Sequence, residues 1–150
     1  MVRFSLNKMV RRKYQPRRSD INQWLQKSII EHYSSGFIDI SIVDTYNSKQ
    51  LNNKYRYKDY PTNVISLEYH DTREDFNIFF GELILCDEII VNEAKSHNKP
   101  ILNHYAHIVV HGLLHLQGYD HTTESEACEM EALEIKILNC LGMGNPYLID

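Results

Sequence analysis

The sequence predicts an α+β fold: one domain with a small mixed four-stranded sheet and about five helices. Three observations point there. The chain has 150 residues, and a single domain usually holds roughly 100–200. Hydrophobic residues make up 43% and charged residues 24%, a globular balance that excludes collagen-like, low-complexity and wholly disordered chains. Segments of period two and of helical period follow one another without repeats or an internal linker, and one layered packing accommodates them.

Each element has a local reason. Val2–Leu6 alternates apolar and polar residues, as a strand does. Pro16 breaks the chain, and Ser19 or Asp20 caps a helix to about Ser34, with Ile21, Trp24, Leu25, Ile29 and Ile30 on one stripe. Gly36 is expected to end it. Phe37–Val43 is a β-rich strand. Asn47 or Ser48 starts a polar helix to about Arg56, and Pro61 closes the turn before the strand Val64–Tyr69. Residues 70–77 form a charged loop, followed by the strand Ile78–Cys86. Asp87 caps a helix to about Ser96. Lys99 and Pro100 open a long helix that stops at Gly118. A last helix covers about Thr123–Leu141, capped by Thr122 or Thr123, with Glu126 at a capping-box position.

The net charge of −4 conceals an asymmetry. Residues 1–19, a basic N-terminal arm that includes the first strand, hold seven basic side chains and no acid: Arg3, Lys8, Arg11, Arg12, Lys13, Arg17 and Arg18. Residues 20–150 then carry nine basic and twenty acidic side chains, a net −11. An arm of this kind attracts phosphate backbones by counterion release, or is a solvated tail. An Arg-rich start also suits a transit peptide, but cleavage would remove the first strand. Cys86, Cys128 and Cys140 are widely spaced with no CxxC, so the expectation is buried thiols without a disulfide framework, in a reducing cytoplasm. No apolar run reaches the roughly 18 residues of a membrane helix, and no secretory signal opens the chain.

The chemistry concentrates in residues 104–121, HYAHIVVHGLLHLQGYDH, which hold five of the eight histidines. His111 and His115 are four apart and share a helix face. A reversal at Gly118 returns His121 to them, giving HxxxHxxGxxH. Three imidazoles suit a metal ion with an open fourth position, the layout of a catalytic zinc, and also accept nickel, copper or iron. A His107–His111 pair is the alternative; His104 and His107 are otherwise packing or support. In HExxHxxGxxH metalloproteases a glutamate general base follows the first histidine. Here Gly112 stands there, which disfavours a peptidase. Asp120 is a candidate to orient a histidine. A second cluster, residues 52–66, alternates Lys54, Arg56 and Lys58 with Tyr55, Tyr57 and Tyr60. Arginine forks match phosphate and tyrosines stack on unpaired bases, although ordinary surface packing gives the same composition.

HGLLHLQGYDH at 111–121 and YRYKDYPTNVIS at 55–66 resemble the YbeY family of bacterial rRNA-maturation endoribonucleases. GELILC at 81–86, the helix entering at Pro100 and EMEALEIKIL at 129–138 agree, so the likeness spans about residues 20–150. Two features depart from the family pattern: Glu82 where aspartate is common, and SLEY at 66–69 where SFPF is usual. The resemblance implies a zincin-like fold and one zinc ion held by His111, His115 and His121. It further implies cleavage of single-stranded RNA, 16S rRNA 3′-end maturation and ribosome quality control in the cytoplasm, with small-subunit components as partners and neither membrane nor DNA involved. The functionally important arginine of the family matches Arg56, and Lys58 is expected to contact RNA beside it. The expected chemistry is metal-assisted phosphodiester cleavage, by water or by the RNA 2′-hydroxyl. The competing classes are a non-catalytic metal-containing ribosome assembly factor and a small ester or amide hydrolase.

Overall fold

The computed structural model describes residues 1–69 and 78–148; the charged segment 70–77 lies outside the described residues. The elements are β1 (Val2–Lys8), α1 (Arg18–Ser28), β2 (Ser35–Val43), α2 (Thr45–Arg56), β3 (Val64–Glu68), β4 (Ile78–Cys86), α3 (Asp87–Ser96), α4 (Ile101–Leu116) and α5 (Glu124–Cys140). The sheet order is β1-β2-β4-β3. The first three strands are parallel, and β3 runs antiparallel to β4 at the edge, with Ser66 opposite Leu83. The α+β expectation with four strands and five helices is met.

Parallel strands need cover on both faces. Ile38, Ile40 and Ile42 of β2 and Leu83 and Leu85 of β4 point to one side, where Trp24 and Leu25 of α1, Tyr105, Val109 and Leu113 of α4, and Ile137 and Leu138 of α5 complete the main core. Val43, Ile65 and Ile84 point to the other, under Leu51 of α2. Helix α4 is central: ten of its sixteen residues are buried, and a helix apolar on so many sides must lie inside.

It packs tightly on the sheet at Gly112. A Cβ there would lie 2.8 Å from Leu83 Cδ2 and 3.3 Å from Ser66 Oγ.

Several boundaries differ from the sequence expectation. Helix α1 stops at Ser28, so Ile29 and Ile30 lie beyond it. The cause is tertiary: Gln117, just past α4, donates to the Ser28 carbonyl at 2.6 Å and accepts from the Ile30 and Glu31 amides. Those bonds draw the chain out of the helix. Gly36 does not end α1; it sits within β2, where a Cβ would collide with Phe79. Asp87 is not the cap of α3, because Cys86 holds that position. Its carboxylate is buried and accepts from Tyr14 at 2.5 Å, from Gln15 at 3.0 Å and from Tyr105. Burial and then the Asp87 carboxylate push the Tyr14 hydroxyl up to about 12. Helix α2 begins at Thr45, two residues early, because Asp44 caps it by accepting from the Asn47 amide at 2.8 Å. Thr123 caps α5 as expected. Only Cys86 is a buried thiol; Cys128 and Cys140 are exposed, and all three are free. Among the described residues no helix is long and apolar enough to cross a membrane.

The Gly112 contact predicts that Gly112→Val destabilises the domain by roughly 1–3 kcal/mol through overpacking, read from urea midpoints at constant slope. A change within about 0.5 kcal/mol, the range of neutral surface substitutions, would show that the helix has room there.

Candidate metal centre and phosphate-binding edge

The last turns of α4 carry His111 and His115. The helix then ends in a paired closure. The Gly118 amide bonds the His115 carbonyl at 3.0 Å and the Tyr119 amide bonds the Leu114 carbonyl at 3.2 Å. This pattern needs a left-handed residue at its centre, and Gly118 has φ +101°. The reversal returns the chain so that the His121 ring lies 5.4 Å from that of His111 and 6.3 Å from that of His115, centroid to centroid.

The three expected ligands are therefore neighbours. Their rings are stacked, however, with interplanar angles of 23°, and among the described residues no three histidine, cysteine, aspartate or glutamate side chains converge as a metal cage. The donor set nevertheless has the right chemistry. His115 Nδ1 lies 3.0 Å from the Tyr119 carbonyl, which only accepts, so the proton resides on Nδ1 and the Nε2 lone pair is free. His111 Nδ1 lies 2.5 Å from Glu134 Oε1, so in the neutral ring the lone pair is on Nε2. Second partners of this kind are what orient histidine ligands in metal sites.

Glu134 is the residue that sequence reasoning passed over. Its side chain is fully buried on α5, where it faces His111, His107 at 3.4 Å and the Tyr147 hydroxyl. Burial alone would raise its carboxyl, but the hydrogen bonds from His107, His111 and Tyr147 prevail and hold it down to about 2. Burial and Glu134 in turn push the Tyr147 hydroxyl well above its usual range. A signal was present: Met130, Glu134, Ile137 and Leu138 are the buried positions of α5, so a carboxylate occupies an otherwise apolar stripe. His107 turns its Nε2 to this network, 3.4 Å from Glu134 and 3.3 Å from the Tyr147 hydroxyl. His104 is buried and bonds Glu93 at 3.0 Å. Asp120 accepts from the His121 backbone amide at 2.7 Å and so shapes the turn.

Arg56 ends α2 and extends its guanidinium to the edge of the sheet. Odd-numbered residues of β3 bond to β4, as the Asn63 carbonyl and Tyr69 amide show, so the Ser66 carbonyl points from the free edge. Arg56 Nη2 donates to it at 2.7 Å, while the Ser66 hydroxyl faces Gly112 beside His111. β3 thus lies between the arginine and the histidine-bearing helix. Lys58 follows α2 in an exposed loop. That loop is fixed by Asn52, which bonds the Tyr60 carbonyl at 2.8 Å, and by Ser48, whose hydroxyl is 3.0 Å from Thr62. Tyr55, Tyr57 and Tyr60 are exposed.

The family model described as Endoribonuclease YbeY matches residues 6–142. A curated Endoribonuclease YbeY of Burkholderia ambifaria is 44% identical over 137 residues, which cover 91% of this chain and 75% of that protein. One from Burkholderia cenocepacia is 43% identical over 137 residues, covering 91% and 77%. The solution structure of a Thermotoga maritima protein shares the fold with a TM-score of 0.52 at 23% identity, over 97% of this chain and 94% of that one.

Because the Glu134 carboxyl is lowered, its stabilising contribution is complete above its ordinary value of about 4.5 and disappears as pH falls toward 2. Metal-free Glu134→Gln is expected to be less stable than metal-free wild type by roughly 1–3 kcal/mol at neutral pH, with the two urea midpoints converging across that acid window. A gap that stays constant into acid would mean that Glu134 is not the titrating group.

Proposed function

The chain belongs to the endoribonuclease YbeY family, and from that we propose that it is a single-strand-specific, metal-dependent endoribonuclease. Its place is the cytoplasm, in 16S rRNA 3′-end maturation and ribosome quality control, with small-subunit components as partners. The observation that carries the reading is the free Nε2 of His111 and of His115 on one helix turn, with His121 alongside.

These residues would hold one zinc or a similar divalent ion. When bound, such an ion polarises a phosphate oxygen or lowers the pKa of its water toward about 7. The remaining work belongs to the chain. Glu134 and the Tyr119 carbonyl keep the Nδ1 protons of His111 and His115 in place, so the opposite nitrogens stay available as ligands. Arg56 spends one donor on Ser66. A guanidinium has five N–H donors, so the others are free to clamp a phosphate and offset developing charge. Lys58 adds a cation beside it, and the exposed tyrosines can stack on unpaired bases. Gly112 supplies no base, so proton removal falls to solvent, to the RNA or to a partner. The same absence favours a second reading, a metal-containing assembly factor that mainly binds ribosomal RNA. Ribosome co-sedimentation that survives loss of His115 would support it.

The deciding experiment compares untagged wild type, His115→Ala and Arg56→Ala for zinc content and cleavage of single-stranded RNA. About one zinc per chain is expected in wild type and Arg56→Ala, with zinc and cleavage both lost in His115→Ala. Arg56→Ala should cleave roughly a hundredfold more slowly. A 2′,3′-cyclic phosphate product would identify the RNA 2′-hydroxyl as nucleophile. Normal cleavage by metal-free wild type would overturn the metal assignment, and normal cleavage by Arg56→Ala the clamp.

A further inference from the structure

The basic arm takes no part in the site described above. Its turn past β1 lies toward the other end of the sheet. The helix that carries His111 and His115 packs at Leu83 and Gly81, against Gly112 and Leu116, whereas the turn is fastened to Asp87, just past the end of β4. Four to six residues of strand at about 3.3 Å each separate the two by roughly 13–20 Å.

The arm is built, not trailing. After β1 the Met9 amide bonds the Ile42 carbonyl at 2.9 Å. A turn follows in which the Gln15 amide bonds the Arg12 carbonyl at 3.2 Å and the Gln15 side chain accepts from the Arg12 amide at 3.1 Å. The same side chain donates to the Val10 carbonyl and to Asp87, each at 3.0 Å. Gln15 is only 4% exposed, and Tyr14 adds a second bond to Asp87.

This buried polar anchor holds up a turn whose outward residues are Arg11, Arg12 and Lys13, all exposed. Among the described residues Arg17 pairs with Asp20 at 3.5 Å, but Arg3, Lys8, Arg11, Arg12 and Lys13 form no ion pair. Asp44, Asp87 and Glu88 line the hollow beside Arg12; they temper that one cation and leave Arg11 and Lys13 without a partner. Like charges held together in a fixed turn repel one another, a standing cost that bound polyanion relieves. The rest of the chain carries a net −11 and turns a phosphate backbone away except here and at Lys54–Lys58.

We infer that the anchored turn Arg11–Lys13, with Lys8 at the end of β1, is a second RNA-backbone contact surface that holds a long single strand while a distant part of it reaches the histidines. The inference rests on RNA as the substrate class. Its role is affinity for long RNA, not chemistry.

The test uses the triple variant Arg11→Gln, Arg12→Gln and Lys13→Gln, beside Arg56→Ala and wild type. Its thermal midpoint should not fall below that of wild type, because the anchoring bonds of residues 11–13 come from their backbone, from Tyr14 and from Gln15, and the repulsion among the three cations is removed. Binding of single-stranded RNA of about 30 nucleotides, longer than a typical single-domain site, is measured against salt. The variant should bind roughly tenfold more weakly, with the log–log salt slope reduced by about 2, since each lost contact removes about 0.7. Its cleavage of a short oligonucleotide should match wild type. Unchanged affinity and slope in the triple variant, with wild type and its Arg56→Ala counterpart behaving as expected, would overturn the second surface alone. No binding of RNA by wild type would overturn it together with the substrate class. Equal losses on long and short RNA would overturn it as well, by showing that the arm acts at the site.

Discussion

The close seating of α4 on the sheet is the constraint from which the site follows. At Gly112 the helix is near enough to Leu83 and Ser66 that a single added carbon would intrude on both. That contact fixes the rotation of the helix, and with it the direction of His111 and His115. A side chain directly after His111 would have to displace the Leu83 methyl. The glycine after His111 and the tight packing thus coincide: the position that holds glutamate in HExxH motifs here brings helix and sheet together. Ser66 lies on the other side of the same contact and accepts Arg56 through its carbonyl, so the arginine is positioned by the strand that positions the helix.

Two buried carboxylates fasten the ends of the chain to this centre. Asp87 binds Tyr14 and Gln15 of the N-terminal arm and Tyr105 of α4. Glu134 binds His107 and His111 of α4 and Tyr147 of the C-terminal segment. In both cases the carboxylate is satisfied by side-chain donors from at least two segments, which is the condition for a buried charge to be tolerated. The consequence differs at each. Asp87 converts a basic tail into an ordered surface. Glu134 sets the tautomer of a candidate ligand and ties it to a tyrosine near the end of the chain, so that disturbance of the C-terminal segment is felt at His111. The charge distribution has the same division: cations are gathered on the arm and at the end of α2, and acids are spread over the remaining surface.

The element order, the α+β class and the four strands could be read directly, because period-two and helical patterns are local and strong in β2, β4 and α4. The histidine spacing and the glycine turn were legible for the same reason: an i, i+4 pair and a left-handed reversal are properties of a few consecutive residues. The resemblance in 55–66 and 111–121 added Arg56 as a candidate, which composition alone did not single out. What local pattern could not supply was any bond between distant segments. Ile29 and Ile30 continue a good helical stripe, yet Gln117, 87 residues further along than Ile30, ends the helix before them. Asp87 has the ideal residue type for a cap, yet Tyr14 and Tyr105 draw it into the interior.

The sequence by itself determined which segments form helices and strands, where imidazoles cluster, and that the first nineteen residues carry net positive charge while the remainder is net acidic. Tertiary structure decided the rest: that Glu134 meets His111, that Arg56 reaches the edge of β3, that Gly112 packs tightly against Leu83 and Ser66, and that the basic arm is held by Asp87 instead of moving freely. The physical reason is one of range. Periodicity, capping and turn preference act over a handful of neighbours, whereas a buried carboxylate finds its donors only when packing has brought distant parts of the chain together.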